Sequence, residues 1–65
     1  MTWQQLHARW AEVSRDAARR WSRLSDRDLR VIAGNRERLI GVLQQRYGAH
    51  RRAVERAVRA FTRSL

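Results

Sequence analysis

Apolar side chains recur every three or four residues along the first third of the chain. The members of this stripe are Trp3, Leu6, Trp10, Val13, Ala17, Trp21 and Leu24. At about 100° per residue, this spacing places all of them on one face of a helix, with charged side chains around the rest. Thr2 and Gln5 have the spacing of a capping box. The pattern predicts one long amphipathic helix that begins near Trp3 and ends between Trp21 and Arg23.

A second, short helix is predicted to follow Ser25, a residue type that favours the N-cap position. Asp26 and Asp28 then stand in its first turn, where the helix dipole favours carboxylates. The residues expected to face inward are Leu29 and Ile32. Gly34 is predicted to stop this helix, because glycine readily adopts the left-handed conformation that ends many helices.

A third helix is predicted between Asn35, which suits an N-cap, and Gly48, a second helix stop. Its inward-facing residues are Leu39, Ile40, Leu43 and Tyr47. Gly41 lies inside this helix, where glycine costs about 1 kcal/mol relative to alanine. We expect another helix to approach closely at Gly41; a tolerated weak spot is the alternative.

The fourth predicted helix runs from about His50 to Ser64 and has two contrasting faces. Its apolar face consists of Val54, Ala57, Val58, Phe61 and Leu65. The opposite face carries arginines at positions i, i+4, i+7 and i+11, which fall on one side of a helix. These are Arg52, Arg56, Arg59 and Arg63. The only acidic residue in this segment is Glu55.

These segments predict an all-α fold: a compact bundle of about four helices that forms a single domain over residues 1–65. The 65 residues include no proline, no cysteine and three glycines, and no strand or hairpin signal occurs. No apolar run approaches the ~20 residues that span a bilayer, and the N-terminus lacks a signal-peptide pattern. We therefore expect a cytoplasmic protein. The predicted core is Trp3, Leu6, Trp10, Val13, Trp21, Leu24, Leu29, Ile32, Leu39, Ile40, Leu43, Tyr47, Val54, Val58 and Phe61.

Two runs of residues resemble a known family. The run from Trp10 to Leu29 resembles W-x10-W-G-K-L-T-D-D-D-L, and the run from Ile32 to Gly48 resembles I-x-G-K-R-D-Q-L-V-G-K-I-Q-E-R-Y-G. Both patterns belong to the CsbD-like (YjbJ-type) family of small bacterial stress-response proteins. The resemblance implies two roughly orthogonal helical hairpins, comparable to SAM-domain-like folds, and expression under general stress. It implies no defined biochemical activity.

The chain departs from the family pattern in two ways. Arg15 and Ser22 stand where family members usually have glycine, which should make the first helix more continuous. Family members also have roughly balanced charge, whereas this chain has a net charge of +9 and all of its cations are arginine. Any function of this charge is therefore a property of this member.

Catalytic chemistry has little support in the sequence. His7 and His50 are isolated, no cysteine is present, and Asp26 and Asp28 are explained as first-turn carboxylates. The three tryptophans share the apolar stripe, so we favour a core role for them over base stacking or membrane contact. We predict a protein that is not an enzyme, with no catalytic residues, no cofactor and no metal site.

The arginine row of the fourth helix is the candidate binding surface, because guanidinium groups pair with phosphates. Supporting cations are Arg19, Arg20 and Arg23. A solvated helix face, with arginine usage set by genome composition, is the alternative. We predict a small non-enzymatic stress-response protein with a binding or protective role, a monomer or weak homodimer. The second hypothesis is a nonspecific nucleic-acid-binding module, and the partner is open between nucleic acid and another acidic surface.

Overall fold

The computed structural model describes residues 1–65 and contains five helices and no strand. The helices are α1 (Trp3–Ala8), α2 (Trp10–Arg20), α3 (Asp26–Ile32), α4 (Arg36–Tyr47) and α5 (Arg51–Ser64). They pack as neighbours, α1 on α2, α3 on α4 and α4 on α5, in a bundle of 28 × 23 × 18 Å. The predicted all-α bundle is confirmed, with five helices where about four were expected. None of the five combines the length and apolarity that a transmembrane span requires.

The long first helix predicted from the periodicity is wrong, because the chain turns at Arg9 and divides it into α1 and α2. The backbone of Arg9 has φ −111° and ψ 24°, and its N–H donates to the carbonyl oxygen of Gln5 at 3.1 Å. The turn lays α1 against the connection between α3 and α4. There a Cβ atom on Gly34 would lie 2.6 Å from Cα of His7. This tertiary contact accounts for the turn at Arg9, which the apolar periodicity of the first segment does not predict.

One hydrophobic core joins all five helices. Its members are Leu6, Val13, Ala17, Trp21, Leu24, Leu29, Ile32, Leu39, Ile40, Leu43, Val54, Val58 and Phe61. Three residues that the sequence assigned to the core lie outside it. Trp3 and Trp10 are only half-buried against its edge, and Tyr47 is 39% exposed. Tyr47 lies in the last turn of α4, where its ring packs against an arginine at the surface.

The indole of Trp10 explains why this residue stays at the edge of the core. Its Nε1–H donates to the backbone carbonyl oxygen of Leu29 at 2.8 Å. An indole at the edge of a core needs a partner for this N–H, and a backbone carbonyl of the neighbouring helix α3 supplies one. The hydrogen bond ties α2 to α3 while the ring remains partly accessible.

Side chains cap three of the helices at their N-termini. The hydroxyl oxygens of Thr2 and Ser25 and the amide oxygen of Asn35 each accept the backbone N–H three residues further on. Thr2 and Ser25 form complete capping boxes, with Gln5 and Asp28 as their reciprocal partners. These caps fix the starts of α1, α3 and α4, because they satisfy N–H groups that have no partner within the helix.

The structure agrees with the sequence-based expectation at Gly48 and differs from it at Gly34 and Gly41. α3 ends at Ile32, and Ala33 rather than Gly34 takes the left-handed conformation at its C-cap, with φ 47°. Gly34 follows with φ 77°, and Gly48 ends α4 with φ 60°. The close approach expected at Gly41 is wrong, because a Cβ atom there would meet nothing within 4 Å. The close approach occurs at Gly34, in the connection between α3 and α4.

Candidate polyanion-binding surface

The four arginines of the row lie on the outer face of α5. All four are exposed, whereas Val54, Val58 and Phe61 on the same helix are buried. At about 100° per residue the row occupies a sector of roughly 60° directly opposite the buried side, and its rise along the axis is about 16 Å. We call this row the arginine ridge; its members are Arg52, Arg56, Arg59 and Arg63.

The arginine ridge has no carboxylate partner within the protein, because the acids nearest to it pair elsewhere. Glu37 accepts hydrogen bonds from Nη2 of Arg51 at 2.8 and 2.9 Å. Glu55 lies 3.8 Å from Arg36 and 3.7 Å from Arg51. The hydrogen bond from Arg51 holds the pKa of Glu37 below its ordinary value, and the pKa of Arg51 is raised in turn. These acids are thus neutralised on the α4 side of α5, and the outer side keeps its full positive charge.

The three supporting arginines are placed unequally. The guanidinium of Arg20 lies 5.9 Å from the ring centroid of Trp21 and 5.8 Å from that of Phe61, which brings Arg20 beside α5. The guanidinium of Arg23 lies 5.4 Å from the ring centroid of Tyr47. Arg19 is exposed on α2 and contacts none of these rings. The structure therefore brings two of the three to the side of the bundle that α5 occupies.

An apolar groove that the sequence analysis did not identify opens between these elements. Its volume is about 260 Å³. Its walls are Trp21, Leu43, Tyr47, Ala49, Ala53, Val54 and Ala57. The small side chains of Ala53 and Ala57, one helical turn apart on α5, leave the space open. This i, i+4 pair of alanines beside an arginine row was the only sequence signal for the groove.

An ion pair between Asp28 and Arg46 also escaped sequence analysis. Nε and Nη2 of Arg46 donate to the two carboxylate oxygens of Asp28 at 2.9 and 2.8 Å, and the Ser25 backbone N–H donates to Oδ2 at 3.1 Å. The side chain of Asp28 is only 9% exposed. The hydrogen bond from Arg46 holds the pKa of Asp28 well below its ordinary range, with the Ser25 N–H acting in the same direction. The pair links α3 to α4 across 18 residues of chain.

The two histidines of the chain belong to no metal-binding cluster. His7 and His50 are both exposed. No group of three or more histidine, cysteine, aspartate or glutamate side chains lies close enough to hold a metal ion. The chemistry available at the surface is that of cations, apolar walls and aromatic rings.

The chain is similar to several bacterial proteins along most of its length. A UPF0337 protein of Xanthomonas axonopodis pv. citri is 40% identical over 60 residues, which cover 92% of this chain and 87% of the relative. A UPF0337 protein of Pectobacterium atrosepticum is 38% identical over 55 residues, with coverages of 85% and 80%. The UPF0337 protein YjbJ of Escherichia coli is 33% identical over 49 residues, with coverages of 75% and 71%. No protein-family model and no solved structure matches the chain. With 33–40% identity to these relatives over most of its length, the chain belongs to the UPF0337 family, the CsbD-like family of YjbJ.

Proposed function

We propose that this protein is a small, cytoplasmic, non-enzymatic member of the bacterial general stress response that acts by binding. Family membership supports the stress role through the resemblance described above, although the names of the relatives state no activity. The binding role is supported by a surface that offers positive charge, apolar walls and aromatic rings.

The stress role is tested by the abundance of the protein in its own bacterium. We expect the protein level to rise several-fold on entry into stationary phase or after osmotic shock, when growth-phase housekeeping proteins stay constant. A level that stays constant under osmotic, oxidative, heat and starvation stress would contradict a stress-response role and leave the binding surface to be explained separately.

The second candidate function is nonspecific nucleic-acid binding, and the arginine ridge is the observation that favours it. Duplex DNA carries one negative charge per ~1.7 Å of its axis, so a ridge about 16 Å long spans more phosphates than it has arginines, and each of the four arginines can pair with one phosphate. Guanidinium groups form paired hydrogen bonds with phosphate oxygens, and lysine does not offer this planar fork. Contacts to phosphates carry no sequence information, so binding through the arginine ridge to the nucleic-acid backbone is expected to be insensitive to sequence.

A charge-matched pair of variants tests this function. The first changes all four residues of the arginine ridge to glutamine. The control makes the same change at four other exposed arginines that have no carboxylate partner: Arg9, Arg15, Arg27 and Arg30. Both variants lose the same charge, so a general attraction of DNA to a basic protein weakens equally in both.

We expect the wild type to bind a short DNA duplex with micromolar affinity at about 50 mM salt, measured by fluorescence anisotropy. The ridge variant should bind at least tenfold more weakly than the control variant. Equal losses in the two variants would show that net charge alone attracts DNA. No binding of the wild type at this salt concentration would overturn nucleic-acid binding altogether.

A further inference from the structure

The apolar groove lies directly beside the arginine ridge on the surface of α5. On that helix Ala53 and Ala57 line the groove, and Arg56 is about 60° around the axis from Ala53. Two aromatic side chains also line the groove, the largely buried Trp21 and the exposed Tyr47. A ligand that fills the groove therefore lies within reach of the ridge.

Cations also flank the aromatic wall of the groove. The guanidinium groups of Arg20 and Arg23 lie over the rings of Trp21 and Tyr47, at 5.9 and 5.4 Å from the ring centroids. Neither arginine has a carboxylate within 4.0 Å, and no acidic residue lines the groove. The groove thus has an apolar floor and positive charge on both sides.

The apolar floor and the flanking positive charges determine which kind of ligand the groove can bind. A second copy of the chain is disfavoured, because each copy carries a net charge of +9. Duplex nucleic acid offers phosphates but keeps the faces of its bases stacked inside the helix. A single strand offers phosphates together with unstacked bases, which pack on aromatic side chains and arginine planes. The volume of about 260 Å³ lies just below the range of ~300–1,000 Å³ typical of whole-ligand pockets, so it suits one ring system.

We propose that the groove binds one unstacked base of a single-stranded nucleic acid while the flanking phosphates lie on the arginine ridge and on Arg20 and Arg23. This inference rests on the nucleic-acid-binding function proposed above and names the form of nucleic acid that the surface prefers. The lining side chains are apolar except for the Trp21 indole N–H and the Tyr47 hydroxyl, whose oxygen accepts the Arg23 backbone N–H at 3.2 Å. With so few polar groups in the groove, we expect all four bases to be accepted.

Three probes of equal length separate base insertion from phosphate attraction. They are a single strand of about a dozen nucleotides, an abasic strand with the same number of phosphates, and the corresponding duplex. One base stacked on an aromatic wall corresponds to about 5- to 150-fold in affinity. We expect the single strand to bind at least fivefold more tightly than the abasic strand at about 50 mM salt, and more tightly than the duplex.

Two alanine-to-leucine variants of α5 test whether the preference for the single strand depends on the groove. Ala53→Leu fills the groove, and Ala60→Leu makes the same change at an exposed position of the same helix outside it. We expect Ala53→Leu to abolish the preference for the single strand over the abasic strand and Ala60→Leu to retain it. Tyr47→Ala, which removes an aromatic wall from an exposed position, provides a second variant and should reduce the preference likewise.

Each outcome decides between the two proposals. Equal binding of all three probes, lost in the ridge variant, would overturn base insertion and leave the arginine ridge as a phosphate-binding surface. A single-strand preference that survives Ala53→Leu and Tyr47→Ala would also overturn it. An acidic peptide with one tryptophan that displaces the strand and binds more tightly would make the groove a protein-docking site instead. Absence of binding to every probe would overturn the nucleic-acid function itself.

Discussion

At the scale of single residues, Asp28 has two structural roles. Its carboxylate completes the capping box at the start of α3 and accepts two hydrogen bonds from Arg46 in the last turn of α4. Because its pKa is depressed in the folded state, this carboxylate stabilises the fold fully above its ordinary pKa of 3.8. The contribution is lost progressively as the pH falls below that value towards the folded-state pKa.

Replacement of Asp28 by asparagine should lower Tm at pH 7, because the variant keeps the shape of the side chain but loses the charge that pairs with Arg46. The difference in Tm from the wild type should narrow as the pH falls from 4 towards 2. Thermal unfolding followed by circular dichroism measures both effects. Asp26→Asn is the matched control, since Asp26 is exposed in the same helical turn and has no ion pair. Wild-type and Asp28→Asn stabilities that decline in parallel with acid would contradict this role.

At the scale of elements, the features that could be predicted from the sequence are those that depend on neighbouring residues. The capping residues Thr2, Ser25 and Asn35 and the opposed faces of α5 specify helix starts and orientation through neighbours three or four residues away. The break at Arg9 was not predictable in this way, because the apolar spacing continues through it from Leu6 to Trp10 without a glycine or proline. The break depends on the packing of α1 against another part of the chain.

Site residues that lie on one helix could be predicted, whereas those brought together from different helices could not. The arginine ridge follows from helical periodicity alone. The apolar groove and the Asp28–Arg46 pair form between elements distant in sequence, so residue spacing provided no signal for them beyond the i, i+4 pair of alanines on α5. Both partners of the ion pair do lie in the runs that resemble the family pattern, which was the only available signal. Tyr47 was assigned to the core because it continues an apolar spacing, but it falls in the last turn of α4, where it lines the apolar groove and stays 39% exposed.

The contact between α1 and the α3–α4 connection predicts opposite effects at two glycines. Gly34→Ala should destabilise the protein by about 2 kcal/mol or more, since it combines a positive φ with a clash against the backbone of His7. Gly41→Ala should stabilise it by about 1 kcal/mol, because an exposed helical position with free space gains helix propensity. Urea unfolding measures both free energies. If Gly41→Ala lowered the free energy of unfolding as much as Gly34→Ala does, Gly41 would make a close contact after all.

At the scale of the whole molecule, the charge is distributed unevenly. Of the fifteen arginines, only Arg36, Arg46 and Arg51 lie within 4.0 Å of a carboxylate. The ion pairs link α3 to α4 and α4 to α5, so they support the fold. The uncompensated charge is left on the outside, and it forms an unbroken line only on α5. The fold therefore concentrates the excess positive charge of the chain on one face of α5.

The most direct test of phosphate binding by α5 is the slope of log K against log salt concentration, where K is the association constant for nucleic acid. Each phosphate neutralised contributes about −0.9 to this slope on duplex DNA. We predict a slope of about −4 or steeper for the wild type. The slope of the variant with glutamine at the arginine ridge should be less steep than this by about 3 to 4. The charge-matched control should keep a slope close to that of the wild type. Identical slopes for the two variants would contradict the assignment of the phosphate-binding surface to α5.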